Sequence, residues 1–274
     1  MNAQVYILFG DETDREQTAS APFFIYGAIF VPIQRVEQLH HAVERLRARE
    51  GFRADDSLKF ATKTRPSHVS QDRHRDAKRQ VLEIAGEIGV RFCAQLVSHD
   101  LAQQRKSETL VRYGANTVLG AFNKFLGEEG ERGLAIFDRL PIAHPDRFIR
   151  DKFQQGLTFP WGSRRLANII CYAHSCDGAS HLSSVADIVL GSFRYCVNER
   201  GRDRAPRKIL PAVARLMWHR REGRKIVLDE RGLMLRPCSV RAEHHRPVYD
   251  ELLSRLASFL EPTAEVACPA GSST

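Results

Sequence analysis

The chain has 274 residues, 43% hydrophobic and 27% charged, with 41 Lys and Arg against 33 Asp and Glu and a formal net charge of +8. That length supports one large domain or two small ones. No run approaches the roughly 18 to 20 apolar residues of a membrane span, and no basic stretch, apolar core and small-residue cleavage site mark a secretory leader, so a cytoplasmic protein with no membrane association is expected.

Val5 to Gly10 reads as a buried strand that stops on Asp11 and Glu12. A polar turn leads to a second strand, Phe23 to Val31, as a hairpin with a long loop. Ile33 to Glu50 places Val36, Leu39, Val43 and Leu46 at helical spacing, and Gly51 closes it. Ser57 to Phe60 is a short extended piece in a polar loop. Asp72 to Glu87 is helical again, with Val81, Leu82, Ile84 and Ala85 as its apolar contacts. Val90 to Val97 is a third strand, and Leu101 to Leu126 a long helix with Leu110, Val111, Val118, Leu119 and Phe122 on its inner face.

A fourth strand, Gly133 to Phe137, ends on Asp138. Pro145 to Gln155 is helical, Arg165 to Tyr172 a fifth strand, and Leu182 to Asn198 a helix with a nearly continuous apolar face. Arg200 to Pro211 reads as a basic loop, Arg246 to Leu260 as a last amphipathic helix, and the tail from Glu261 as disordered. No repeat or linker divides the chain, so one α/β domain with a basic C-terminal extension is the simplest organisation.

The charge is local. Arg200 to Lys225 holds ten Lys or Arg against Asp203 and Glu222, so the rest of the chain sums to zero. A concentrated patch suits a polyanionic partner, against the plainer reading of a solvated basic loop. Arg202, Arg204, Arg207, Lys208, Arg220, Arg221, Arg224 and Lys225 would contact nucleic acid, with Trp218 stacking on bases.

Asp11 and Asp138 end apolar strands, and Asp187 lies between Val185, Ala186, Ile188 and Val189. Two carboxylates ~4 Å apart repel by about 4 kcal/mol at an effective dielectric near 20. A divalent cation between them, or protonation of one, relieves that repulsion. Oxygen ligands of this kind suit Mg²⁺ or Mn²⁺, and ions so held activate a water and stabilise the leaving oxygen of a phosphodiester. Taken singly, Asp11 and Asp138 also fit ordinary turn-forming roles. Asp187 fits one less well, because an unpaired buried acid is costly.

The order strand-Asp, strand, strand, long helix, strand-Asp, helix, strand, helix-Asp resembles the ribonuclease-H-like fold of the retroviral-integrase superfamily, with a helical insertion between its second and third strands. More closely, four segments resemble the bacterial domain-of-unknown-function 3800 (DUF3800) family: Asp11-Glu12-Thr13, Leu58-Lys59-Phe60, Phe137-Asp138, and Asp177-Gly178 followed by Ser183 to Gly191. Thr13 stands where that family has Ser, Ser184 where it has Gln, and Gly178 where it has Ser. The resemblance implies a mixed five-stranded sheet flanked by helices over residues 1–198, with the insertion at about 33–88. A basic extension with a terminal helix covers 199–262 and a disordered tail 263–274. It also implies a metal-dependent, nuclease-like site of the kind suspected in phage defence or mobile elements. Asp11, Asp138 and Asp187 would be the metal ligands, Glu12 and Asp177 further catalytic candidates, and Lys59 a phosphate contact.

Cys171, His174, Cys176 and His181 offer a zinc alternative, although strand alternation sets Cys171 and His174 on opposite faces. The six cysteines, Cys93, Cys171, Cys176, Cys196, Cys238 and Cys268, form no CxxC pair and read as free thiols. No phosphate loop, dinucleotide fingerprint or nucleophile elbow is present. Two functions are therefore expected to compete: a Mg²⁺- or Mn²⁺-dependent phosphodiesterase acting on DNA or RNA, and a non-catalytic nucleic-acid-binding or assembly module on the same fold.

Overall fold

The computed structural model describes residues 4–18, 21–102, 105–159, 162–176, 178–199, 203–222, 225–228, 230–237 and 243–259. The chain runs β1 (Val5–Thr13), β2 (Phe23–Pro32), α1 (Val36–Arg49), α2 (Gln71–Ile88), β3 (Arg91–Ser98), α3 (His99–Ala102), α4 (Ser107–Glu129), β4 (Arg132–Asp138) and α5 (Pro145–Gln155). It continues with β5 (Leu157–Phe159), β6 (Gly162–Arg164), β7 (Ile169–Ser175), α6 (His181–Asn198), α7 (Pro206–Leu216), β8 (Arg220–Glu222), β9 (Lys225–Val227), β10 (Leu233–Arg236) and α8 (Arg246–Phe259).

Among the described residues, six strands form one mixed sheet in the order β10-β3-β2-β1-β4-β7. β2 is antiparallel to both neighbours, while β1–β4, β4–β7 and β3–β10 are parallel. Helices cover both faces. Apolar residues of α1, α2, α6, α7 and α8 share one core with Ile7 and Phe9 of β1, and those of α4 and α5 share the other with Leu8. Cover on both sides explains why β2 is buried along its whole length and reads as an unbroken apolar run. The result is a mixed α/β fold whose elements follow the order expected of a ribonuclease-H-like chain, with α1 and α2 inserted between the second and third strands.

Local signals set the helix ends. The Ser70 hydroxyl accepts from the Arg73 N–H at 3.3 Å to cap α2, and Gly89, left-handed at φ 82°, ends it. α4 starts anew at Ser107 rather than continuing from Leu101.

Several expectations are corrected. The sheet has a sixth strand, because Leu233-Met-Leu adds a parallel edge beside β3. The fifth central strand is Ile169–Ser175 rather than 165–172. The second half of the expected basic loop is helical: Pro206 begins α7, and Leu210, Val213 and Leu216 form a buried stripe behind its charged face. The tail from residue 260, with Cys268, and also Cys238 lie outside the described residues. No helix among the described residues is long and apolar enough to cross a membrane.

Candidate functional site

Alternation along two strands brings the first two acids together. In β1, Ile7 and Phe9 point to the α6 face and Leu8 to the α4 face, so Asp11 follows the α6 face. In β4, Leu134 and Ile136 pack on that face and Phe137 on the other, so Asp138 follows it too. The strands are parallel neighbours in register, Gly10 beside Phe137, so Asp11 and Asp138 emerge side by side at their C-terminal ends. α6 packs across β1 and brings Asp187 to the same place.

These three acids line one cavity of about 490 Å³ with Lys59, Ser183 and Ser184. Burial, then the Glu12 carboxylate, then Asp138 and Asp187, push the Asp11 carboxyl up to about 7, against a backbone N–H that favours its charged form. The sequence-predicted acids therefore share one electrostatic site. Each also takes a backbone N–H: Glu12 N donates to Asp11 Oδ1 at 2.8 Å, Arg139 N to Asp138 Oδ1 at 2.8 Å, and Phe60 N to Asp187 Oδ2 at 2.6 Å.

Glu12 is placed differently. Alternation turns it toward the α4 face, opposite Tyr26 of β2. Burial again dominates and lifts its carboxyl to about 7; Arg15, 4.0 Å away, opposes this and Asp138 adds to it. The neighbouring Tyr26 hydroxyl is buried without a hydrogen-bond partner among the described residues.

Lys59 reaches the cavity because the insertion holds its loop. His74 Nε2 donates to Lys59 O at 3.0 Å; a carbonyl only accepts, so Nε2 carries the proton. Lys78 Nζ donates to Phe60 O at 3.0 Å and sits 4.6 Å from the Phe60 ring centroid. The ring is seated on Gly191, where a Cβ would come within 2.4 Å of Phe60 Cγ. Gly191→Ala is therefore expected to cost about 1–3 kcal/mol by overpacking and to draw the Phe60 N–H off Asp187. Denaturant melts measure the first effect; an unchanged midpoint would contradict the seat.

Sequence reasoning missed Asp14. At φ 56° it turns the chain after β1, and its Oδ2 accepts from Arg194 Nε at 2.7 Å and Asn198 Nδ2 at 2.6 Å. The loop beyond Asp11 is thereby fastened to α6. The one local signal was an Asp in a left-handed turn; its partners lie 180 and 184 residues away. Gly178, on the cavity wall, has φ 77°, a conformation that glycine adopts freely and other residues only with strain. Asp177 lies outside the described residues.

The basic patch divides. Arg204, Arg207, Lys208, Arg220 and Arg221 are exposed, while Arg202 and Arg224 lie outside the described residues and Lys225 is placed only as backbone of β9. Arg207 is engaged, donating to Ser258 O at 2.8 Å. Trp218 is corrected outright: it is 4% exposed, packed near Phe30 and Phe125, and its backbone N–H donates to Phe92 O at 2.8 Å. It is a core residue and offers no face to a base. That hydrogen bond also anchors the β8–β9 hairpin by the start of β3, at the end of the sheet where β1 and β4 begin, so Arg220 and Arg221 do not flank the acids.

The zinc alternative does not assemble. Cys171 and Cys176 are exposed free thiols, and the expected alternation of Cys171 and His174 along β7 holds. His181 instead meets Glu44 and His40 of α1.

No family model matches the chain, so the DUF3800 resemblance rests on its motifs alone. No curated protein matches either. Among solved structures, the chain is similar to a crystal structure of ribonuclease H2 from Pyrococcus horikoshii OT3, at 11% identity and a TM-score of 0.35, over 75% of this chain and 85% of that one. A likeness this distant assigns no activity.

Proposed function

We propose that the chain is a divalent-metal-dependent phosphodiesterase acting on nucleic acid, with Asp11, Asp138 and Asp187 holding Mg²⁺ or Mn²⁺. The observation that carries this reading is the convergence of two strand-end carboxylates, in parallel register, with a third from α6 in one cleft. The donor set fits the ion: the side chains are hard oxygen ligands, and the cost of a buried Asp11 charge, to which Glu12, Asp138 and Asp187 add, is what a divalent ion would offset.

When bound, the ion supplies Lewis acidity and charge neutralisation to the scissile phosphate. The chain's own groups do the rest. Lys59 brings a positive charge to the cavity that a phosphate oxygen would meet. Three backbone N–H groups hold the carboxylates in place before substrate arrives. Lys63, in the adjoining groove beyond Asp11 and Asp187, would meet the next phosphate of a bound strand in this proposal. Asp177 and Glu12 stay secondary candidates in this proposal, as does the exposed basic surface of α7 and β8.

The test is cleavage of labelled single- and double-stranded DNA and RNA with Mg²⁺, Mn²⁺ or chelator. Wild type is expected to cut only with metal, and folded Asp138→Asn to lose at least about a hundredfold, the loss of several kcal/mol of charge stabilisation. Undiminished cutting by Asp138→Asn, or none by wild type on any substrate, would sink the reading.

A further inference from the structure

The mouth of the cavity carries a second constellation, different in chemistry from the acids. His40 and Glu44 lie four residues apart on α1 and so share one helix face. His181, the first residue of α6, faces them: its Nε2 is in contact with Glu44 Oε1, and its ring lies 5.0 Å from the His40 ring at 40°. One donor atom from each of the three residues lies within 4.8 Å of the other two. All three line the same cavity as Asp11 and Asp187.

We infer that His40, Glu44 and His181 bind a borderline transition-metal ion, with Zn²⁺ the best match. Two imidazole nitrogens and one carboxylate oxygen suit Zn²⁺ at bonds of about 2.0–2.2 Å, whereas Mg²⁺ selects oxygen donors. Tetrahedral donors at those bond lengths stand about 3.3–3.6 Å apart, so the widest separation must close by at most about 1.5 Å while the His181–Glu44 contact opens to admit the ion. His40 and Glu44 are exposed on α1, and their side chains have room to move that far. Glu44 is exposed, and an exposed carboxylate is an anion at neutral pH. The nearest competing cation is Arg47, 4.0 Å from Glu44, and its guanidinium is committed to the carbonyls of Arg53 and Ala54 at 2.8 and 3.2 Å.

Three protein ligands leave a fourth position for water or a substrate group, as in sites that bind and exchange ligands rather than closed structural ones. The ion would join residues 137 apart in sequence, fastening the inserted helix α1 to the start of α6 at the cleft entrance. This inference does not rest on the nuclease reading.

Chelator-stripped full-length protein would be titrated with Zn²⁺ by calorimetry and with Co²⁺ as a visible-absorption probe. One equivalent is expected to bind, with affinity reduced at least about tenfold in His40→Ala and in His181→Ala and unchanged in Asp11→Asn. Zn²⁺ is also expected to raise the melting temperature of wild type and Asp11→Asn, but not that of His40→Ala, an exposed position where the fold is not at stake. The inference is overturned if the stripped protein binds no Zn²⁺, if both histidine variants bind it as wild type does, or if binding is lost in Asp11→Asn instead. Because cleavage is not the readout, failure here and failure of the nuclease reading are separate results.

Discussion

Stripped of divalent ions, an Asp11→Asn variant is expected to melt above the wild type at pH 8 and together with it near pH 4. The Asp11 carboxyl rises from an ordinary 3.8 to about 7 in the folded chain, first through burial and then through its acidic neighbours. A carboxyl raised on folding binds protons more tightly in the native state. The Asp11 contribution therefore costs nothing below about pH 4, grows unfavourable as pH climbs, and reaches its full deficit above about pH 7. At 1.36 kcal/mol per pKa unit, that deficit is at most about 4 kcal/mol. Asparagine removes the charge while keeping an oxygen for the Glu12 N–H. Glu12 is raised as well, so the variant retains part of the slope. Adding Mn²⁺ is expected to lift the wild type at pH 8 and to do much less for the variant. Thermal melts across pH decide it: a difference between the two proteins that does not change with pH would refute the acid cluster.

Trp218→Ala is expected to behave as a core lesion. The indole fills space beside Phe30 and Phe125, with Lys124 and Arg231 over its ring at 5.8 and 5.4 Å. Truncating a buried Trp costs about 3–5 kcal/mol, a large share of a domain's stability. Under the proposed function, the variant below its melting point should bind nucleic acid with the salt dependence of wild type, because the indole offers no contact to a phosphate. Urea melts read the first effect and binding at two salt concentrations the second. Full stability with weakened binding would reinstate the surface role that the arginine-rich sequence suggests.

Trp218 also shows what the sequence conceals. Ten basic residues in Arg200 to Lys225 made the stretch look like one solvated surface, whereas Leu210, Val213, Leu216, Met217 and Trp218 are buried beneath it. Charge density hid an apolar stripe only three residues in period. The early strands and inserted helices were legible because long apolar spacing carries its own geometry, as in Leu39, Val43 and Leu46 of α1. β10 was not, because four residues cannot be told from a loop until β3 is there to pair with them. Of the site, Asp11, Asp138 and Asp187 could be picked out as strand-end or core acids, and Lys59 by its motif. Their approach depends on the β1–β4 register, and Phe60, Asp14 and His181 act through partners more than a hundred residues distant. No local pattern records such a distance.

The parallel pairing of β1 with β4, and the lateness of α6, bear on when the site comes into being. β1 and β2 can zip together as soon as both exist, but β4 joins only after the long α4 crossover, and contacts of that range form slowly. Asp187 follows later still, and the Phe60 N–H that receives it waits through 127 residues of chain. A ribosome-bound fragment that has folded its first three strands displays Asp11 with no companions. Whatever chemistry the three acids perform is thus withheld from the nascent chain, which emerges beside messenger and ribosomal RNA, until Asp187 and the rest of α6 have been made.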